Sequence, residues 1–216
     1  MKRTVAEALG TFGLVLFGTG ACVVDKETGG ALGITGIAIV FGLIVMAMIH
    51  VFGPISGAHL NPAVTLALYF GKYVRGSTVL PYITAQCIGA LGASVLVHVL
   101  FPANELLGAT LPSGSPWVSF SLETLLTLVL MLVILAPPLR ARSGHSVFIG
   151  GTVFLEALLA GPICGASMNP ARSLAPALVS GHLEHLWIYI VAPVLGALLA
   201  VAVHHLLYNG KHAAHA

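Results

Sequence analysis

Two short polar stretches interrupt an otherwise apolar chain, and they carry side chains suited to bind a polar solute. The triplet Asn-Pro-Ala occurs twice, at Asn61, Pro62, Ala63 and at Asn169, Pro170, Ala171. Asn is favoured as a helix N-cap and Pro at the first helical position, so each stretch predicts loop backbone that leads into a helix. A single Asn-Pro would indicate an ordinary cap, but two copies with matched flanks favour a functional pair.

The composition places both stretches inside a membrane protein. Of the 216 residues, 57% are hydrophobic and 7% are charged, whereas soluble domains have roughly 25% charged residues. So few charges cannot cover a soluble surface, and the chain is therefore predicted to be a polytopic protein surrounded by the lipid bilayer. The formal net charge of +2 gives no reason to expect a nucleic-acid partner.

Six apolar stretches have the length, about 20 residues, that a helix needs to cross a bilayer. They lie at roughly 4–24, 33–53, 80–101, 119–138, 146–163 and 186–208. Two shorter apolar segments, about 61–71 and 169–180, would each give ~16–18 Å of helix, which is half a bilayer. The predicted fold class is an all-α membrane protein with six spanning helices and two half-helices that enter from opposite sides.

The two halves of the chain repeat each other. Residues 82–91 match residues 189–198, and Glu7 in the first span has a counterpart in Glu123 in the fourth. We expect a single domain over 1–216, with repeat 1 at about 1–110 and repeat 2 at about 111–216. Three spans per half require the second copy to be inverted, which brings the two Asn-Pro-Ala turns together at mid-depth. Polar backbone is tolerated there where it lines a wet cavity.

Basic residues predict the orientation in the membrane. If the chain crosses the membrane six times, seven basic residues lie on the same side: Lys2, Arg3, Lys72, Arg75, Arg140, Arg142 and Lys211. The positive-inside rule then places both termini in the cytoplasm.

The paired turns predict a pore or a binding site at the midplane that repels cations. The half-helix N-termini would meet and place positive potential at the centre, which repels cations. The residues before each Asn would present carbonyl oxygens to the pore; they are Gly57, Ala58, His59, Gly165, Ala166 and Ser167. Arg172 lies inside the second half-helix, where an ionisable residue is a functional candidate. The alternative for Arg172 is a side chain that reaches the membrane interface.

The motifs Ser-Gly-Ala-His-Leu-Asn-Pro-Ala-Val-Thr and Ser-Met-Asn-Pro-Ala-Arg-Ser are similar to those of the aquaporin (major intrinsic protein) family. The resemblance covers essentially the whole chain. It implies a homotetramer with one pore per subunit, and an Arg and half-helix dipoles that exclude protons. It also implies a narrow selectivity filter at Phe41, Ala157, Ala166 and Arg172. Strict water channels of the family place His where Ala157 stands, so the resemblance implies a wider and more apolar filter here.

The segment Ala-Gly-Pro-Ile-Cys-Gly-Ala-Ser-Met resembles the nodulin-26-like branch, although Ser173, Ala177 and Tyr189 look like those of water channels. That branch implies passage of water and of small uncharged solutes such as glycerol, arsenous acid and boric acid. The alternatives are a strict water channel, a secondary transporter and, more remotely, an intramembrane enzyme. The length of the chain and its short loops resemble those of microbial members of the family. This resemblance implies that the protein lies in the plasma or inner membrane.

Three acidic residues lie within predicted spans. Glu7 and Glu123 are expected to be buried structural acids that accept hydrogen bonds from loop backbone; for Glu7, a surface position near the helix start is the alternative. Glu156 precedes Ala157 and would bond to another helix, face a fourfold axis or meet pore water. We expect Glu156→Gln to harm assembly more than selectivity.

No cofactor and no metal site are expected. The three cysteines lack metal-type spacing and are expected to pack as small apolar residues. Four histidines near the C-terminus, His204, His205, His212 and His215, are interpreted as part of a polar tail because no Cys or acid completes a ligand set.

Overall fold

A computed structural model describes residues 1–136 and 144–208, and these residues form eight helices. In chain order the helices are α1 (Lys2–Glu27), α2 (Gly33–Ser56), α3 (Pro62–Phe70), α4 (Gly76–Leu100), α5 (Pro116–Leu135), α6 (His145–Cys164), α7 (Pro170–Ser180) and α8 (Leu186–Tyr208). Arg140, Arg142, Lys211, His212 and His215 lie outside the described residues.

Six of these helices are long and apolar enough to cross a membrane: α1, α2, α4, α5, α6 and α8. They confirm the six predicted spans. Helix α5 begins at Pro116 rather than at 119, because Pro116 takes the first helical position. Its last helical residue is Leu135, while the predicted end at 138 falls outside the described part of the chain.

The remaining two helices, α3 and α7, are the predicted half-helices. They contain 9 and 11 residues, which corresponds to ~14 and ~17 Å of helix. Each begins at the Pro of an Asn-Pro-Ala triplet, and each is capped by the side chain of the preceding Asn. The two half-helices contact each other, and both pack against α4 and α8.

The packing follows an inverted repeat. In the first half, α1 packs against α2 and α4; in the second half, α5 packs against α6 and α8. The two halves are joined by the contact between α2 and α6. Glycines allow the closest of these approaches. A methyl group on Gly89 would overlap the carbonyl oxygen of Ala8, and one on Gly196 would overlap that of Thr124. Small residues at such crossings let helices pack tightly in the absence of a hydrophobic driving force.

Candidate functional site

The two Asn-Pro-Ala turns are joined directly by hydrogen bonds. Asn61 Nδ2 donates to the carbonyl oxygen of Met168 at 2.7 Å, and Asn169 Nδ2 donates to that of Leu60 at 2.8 Å. The Oδ1 atom of each Asn accepts from backbone N–H groups of its own half-helix, Ala63 in one case and Ala171 in the other. Because an amide has two N–H hydrogens, each Asn keeps one donor after these contacts.

The loops before the two turns have matching backbone conformations in the left-handed region. In the first loop φ is 90° at Gly57, 46° at Ala58 and 51° at Leu60. In the second loop the corresponding residues, 165, 166 and 168, have φ values of 87°, 41° and 53°. Non-glycine residues in this region cost of order 1–3 kcal/mol each and cluster at functional sites. The same strained conformation is therefore present at corresponding positions of both halves.

Glu7 holds the first loop in this conformation. Its carboxylate is fully buried and accepts backbone N–H bonds from His59 at 3.0 Å and Leu60 at 2.8 Å. It also accepts the Ser56 hydroxyl at 2.6 Å and Gln86 Nε2 at 2.8 Å. Glu7 therefore does not lie at the surface, and its contacts tie α1 and α4 to the re-entrant loop.

Glu123 holds the second loop in the same way, but fewer side-chain donors surround it. It is fully buried and accepts backbone N–H bonds from Ser167 and Met168, both at 2.8 Å. The counterpart of Gln86 is Pro193, which has no side-chain donor. The counterpart of Ser56 is Cys164, whose thiol is a weaker donor than a hydroxyl.

Sequence reasoning missed several polar residues that complete these networks. Gln86 Nε2 also donates to Thr65 Oγ1 at 3.0 Å, and Thr65 Oγ1 contacts His59 Nδ1 at 3.1 Å. In the second half, Ser173 Oγ contacts Ser167 Oγ at 2.5 Å and accepts from Thr110 at 2.7 Å. Gln86 and Thr65 could have been predicted, because they are polar residues inside apolar helices. Thr110 lies in a loop, and its neighbours in sequence give no indication of its role.

Two cavities meet at the predicted filter. The first, of about 110 Å³, is lined by both Asn residues. The second, of about 330 Å³, lies next to the loop between α4 and α5 and is lined by Ala157. Three of the four filter positions line both cavities: Phe41, Ala166 and Arg172. The structure thus brings the four positions together at the junction of the two cavities.

The residues expected to offer carbonyl oxygens divide between these cavities. Four of them line the first cavity, namely Gly57, Ala58, His59 and Ser167, while Gly165 lines the second. Ala166 lines both. The strained loops therefore border the passage on either side of the Asn pair.

Arg172 is fixed at the junction by two contacts. Its Nη1 donates to the carbonyl oxygen of Gly108 at 2.8 Å, and its guanidinium carbon lies 5.1 Å from the centre of the Phe41 ring. The side chain is 3% exposed, and among the described residues its Nε has no hydrogen-bond partner. Arg172 does not reach the membrane interface, and it lines both cavities at their junction. Gly108 was not predicted, because it is 64 residues away in sequence.

Glu156 is buried and has no direct hydrogen bond to another helix among the described residues. Its side chain is 6% exposed, so it does not face a neighbouring subunit. It lines neither cavity at the filter, and no described residue donates a hydrogen bond to either of its carboxyl oxygens. This carboxyl group is buried behind the filter residue Ala157.

Six spanning helices, two half-helices with joined N-termini and two cavities that meet at a buried Arg define a membrane channel. The model of the family described as Major intrinsic protein matches residues 1–204, and the chain belongs to this family. Members of the family are channels and not enzymes.

The individual relatives agree with this assignment. The chain is 42% identical over 201 residues to Aquaporin NIP1-1 of Oryza sativa subsp. japonica, covering 91% of this chain and 71% of that protein. It is 38% identical over 216 residues to Nodulin-26 of Glycine max, and the match covers 98% of this chain and 80% of that protein. The aquaglyceroporin from Plasmodium falciparum has a solved structure that aligns with a TM-score of 0.86 at 25% identity, covering 94% of both chains. The predicted family, fold class and nodulin-26-like branch are confirmed.

Proposed function

We propose that this channel conducts water and small uncharged hydroxylated solutes, namely glycerol-like polyols and metalloid hydroxides such as arsenous or boric acid. The observation that carries the proposal is the pair of alanines, Ala157 and Ala166, at the junction of the two cavities. A methyl side chain leaves room that an imidazole ring would fill. The name of one structural relative supports the same solute class, since it is an aquaglyceroporin.

The filter suits a solute with one polar and one apolar side. Phe41 presents an aromatic face, the two alanines present methyl groups, and Arg172 presents hydrogen-bond donors. A polyol can direct its hydroxyl groups to the guanidinium and its CH groups to Phe41. A metalloid hydroxide offers oxygen acceptors to the same donors and has no charge to desolvate. Burial of a charged solute without a compensating partner costs several kcal/mol.

Ions and protons are excluded by the charges that are fixed along the pore. Arg172 and the positive ends of the two half-helix dipoles repel cations. At the centre, a water molecule accepts hydrogen bonds from Asn61 and Asn169, which occupies its oxygen lone pairs. Its hydrogens then point towards the loop carbonyl oxygens on either side, so it cannot accept a proton from the next water in the file.

Proteoliposomes and stopped-flow light scattering test this function. We expect vesicles that contain the protein to equilibrate water, glycerol and arsenous acid faster than protein-free vesicles, without saturation and without dependence on proton or sodium gradients. Water flux without glycerol or arsenous acid uptake would indicate the strict water channel. Saturating flux that follows an ion gradient would indicate the secondary transporter.

We propose that the protein lies in the plasma or inner membrane as a homotetramer with both termini in the cytoplasm. Four basic residues support this orientation: Lys2 and Arg3 begin α1, and Lys72 and Arg75 lie between α3 and α4. The α3–α4 connection lies near the end of α8, since Tyr73 Oη contacts His204 Nδ1 at 3.2 Å. The proposed repeat bounds are about 1–110 and 111–216 within a single channel domain.

A further inference from the structure

The inverted repeat shows what is unusual about Glu156. Glu156 stands 13 residues before Asn169, and its counterpart 13 residues before Asn61 is Met48. Met48 fills the contact between α2 and α1, because a Cβ on Gly13 would lie 2.8 Å from its sulfur atom. The second half therefore places a carboxyl group where the first half places an apolar side chain.

A second buried acid, Glu123, lies on the neighbouring helix α5, against which α6 packs. Glu123 already accepts two backbone N–H bonds, which stabilise it as a carboxylate. A charge on Glu123 disfavours a second negative charge on Glu156. Since the described residues give Glu156 no donor, the uncharged form of Glu156 is the one compatible with its burial.

A neutral carboxylic acid can donate a hydrogen bond, and the Glu123 carboxylate can accept more hydrogen bonds than the two from the backbone. A carboxylate offers about four lone-pair sites, and Glu123 lacks the side-chain amide that Gln86 supplies to Glu7. On α8, which packs against α5, the fully buried Tyr189 hydroxyl also has no described partner. Its counterpart Tyr82 donates to the Ser56 carbonyl oxygen at 2.9 Å. Buried polar groups in this situation are commonly bridged by ordered water.

We propose that Glu156 is a neutral carboxylic acid that donates through bound water to the Glu123 carboxylate, and thereby positions the outer re-entrant loop beside the filter. Glu123 carries this effect to the pore, because it binds the backbone of Ser167 and Met168 next to Ala166. Glu156 is thus a positioning residue that replaces the direct donors available to Glu7. The inference deepens the proposed function, and its first test does not depend on any solute.

Infrared spectroscopy of the reconstituted protein tests the protonation directly. A carboxylic acid has a C=O stretching band that a carboxylate lacks, and the band shifts in D₂O. We expect this band in the wild type at neutral pH, its loss in Glu156→Gln and its retention in Glu184→Gln, which changes an exposed acid. A wild type without the band, or a band that disappears in Glu123→Gln instead, would overturn the proposal.

Two substitutions then separate hydrogen bonding from packing. Glu156→Gln keeps a neutral donor and is expected to retain wild-type water permeability, which revises the expectation from sequence that it harms assembly. Glu156→Met installs the side chain of the repeat counterpart, so we expect a folded protein whose water permeability is lower by about threefold. Wild-type permeability in folded Glu156→Met would contradict the positioning role. A wild type that conducts no glycerol would refute the proposed solute range and leave the infrared result intact.

Discussion

At the scale of single residues, we propose that Ala157 sets the width of the filter. The other residues at this junction have fixed neighbours: Arg172 is bound to Gly108 and stacked near Phe41. Position 157 borders the outer cavity with a methyl group, and a larger side chain there would project into the passage. We therefore expect position 157 to control the solute range, because it can change without disturbing the contacts of Arg172.

Ala157→His is expected to lower glycerol permeability by about tenfold, the factor that corresponds to about 1.4 kcal/mol of added barrier. The ring narrows the filter but supplies a hydrogen-bond donor, so water permeability is retained. Stopped-flow light scattering on proteoliposomes measures both rates. Ala157→Leu is the matched control, because it adds bulk without a donor and should reduce water flux as well. Undiminished glycerol flux in Ala157→His would show that position 157 does not form the constriction.

The two buried acids are expected to differ in their contribution to stability. Glu7 accepts hydrogen bonds from two backbone and two side-chain donors, whereas the hydrogen bonds seen for Glu123 come from the backbone N–H groups of Ser167 and Met168. Hydrogen bonds to charged groups are worth about 1.5–3 kcal/mol each. Glu7→Gln should therefore lower the thermal unfolding midpoint of the purified protein more than Glu123→Gln. The exposed Glu105→Gln serves as control, and an equal or larger loss in Glu123→Gln would contradict this ranking.

At the scale of helices, close crossings position the half-helices. Helices α1 and α4 approach until Gly89 touches the backbone of Ala8, and α5 and α8 do the same at Gly196 and Thr124. Glu7 and Glu123 project from α1 and α5 into the re-entrant loops. A shift of either crossing would thus move the acid that holds a pore loop.

Gly89→Ala is expected to destabilise the protein by about 1–3 kcal/mol, because the added methyl group overpacks the α1–α4 contact. The thermal midpoint of the detergent-solubilised protein should fall accordingly. Gly92→Ala provides a control on the same helix, since its added Cβ would lie 3.6 Å from Phe12, an ordinary van der Waals contact. Equal midpoints for the two variants would show that the crossing at Gly89 can relax.

At the scale of the whole molecule, the described helices leave extensive apolar surface uncovered. Leu43, Leu155 and Leu159 are 54%, 62% and 73% exposed, as expected for side chains that face lipid or neighbouring subunits. The passage itself lies within one chain, because its cavities are lined by residues from both repeats. A homotetramer would therefore add to stability in the membrane without supplying pore residues.

Size-exclusion chromatography with light scattering is expected to give a protein mass four times 22.3 kDa in mild detergent. The physical reason is that subunit contacts cover part of the exposed apolar surface. A mass of one chain under several detergents, with solute flux retained after reconstitution, would contradict the homotetramer while preserving the channel.

The local pattern of the chain was sufficient to predict its architecture. Apolar length predicted the six spans, and the Asn-Pro pairs predicted where α3 and α7 begin, because capping and the fixed φ of proline act within a few residues. Repeated motifs predicted the inversion, since three spans reverse the direction of the second copy. Family resemblance implied the four filter positions, and the structure places them at one junction.

The contacts that hold the site together depended on tertiary structure. The Asn61–Met168 and Arg172–Gly108 hydrogen bonds join residues 107 and 64 positions apart, so no local pattern could pair them. The burial of Glu156 likewise depends on how α6 packs against α2 and α5. Local sequence sets which segments cross the membrane and which turn back. Packing between distant segments determines which polar groups line the passage, because in a membrane each buried donor and acceptor must find its partner within the folded protein.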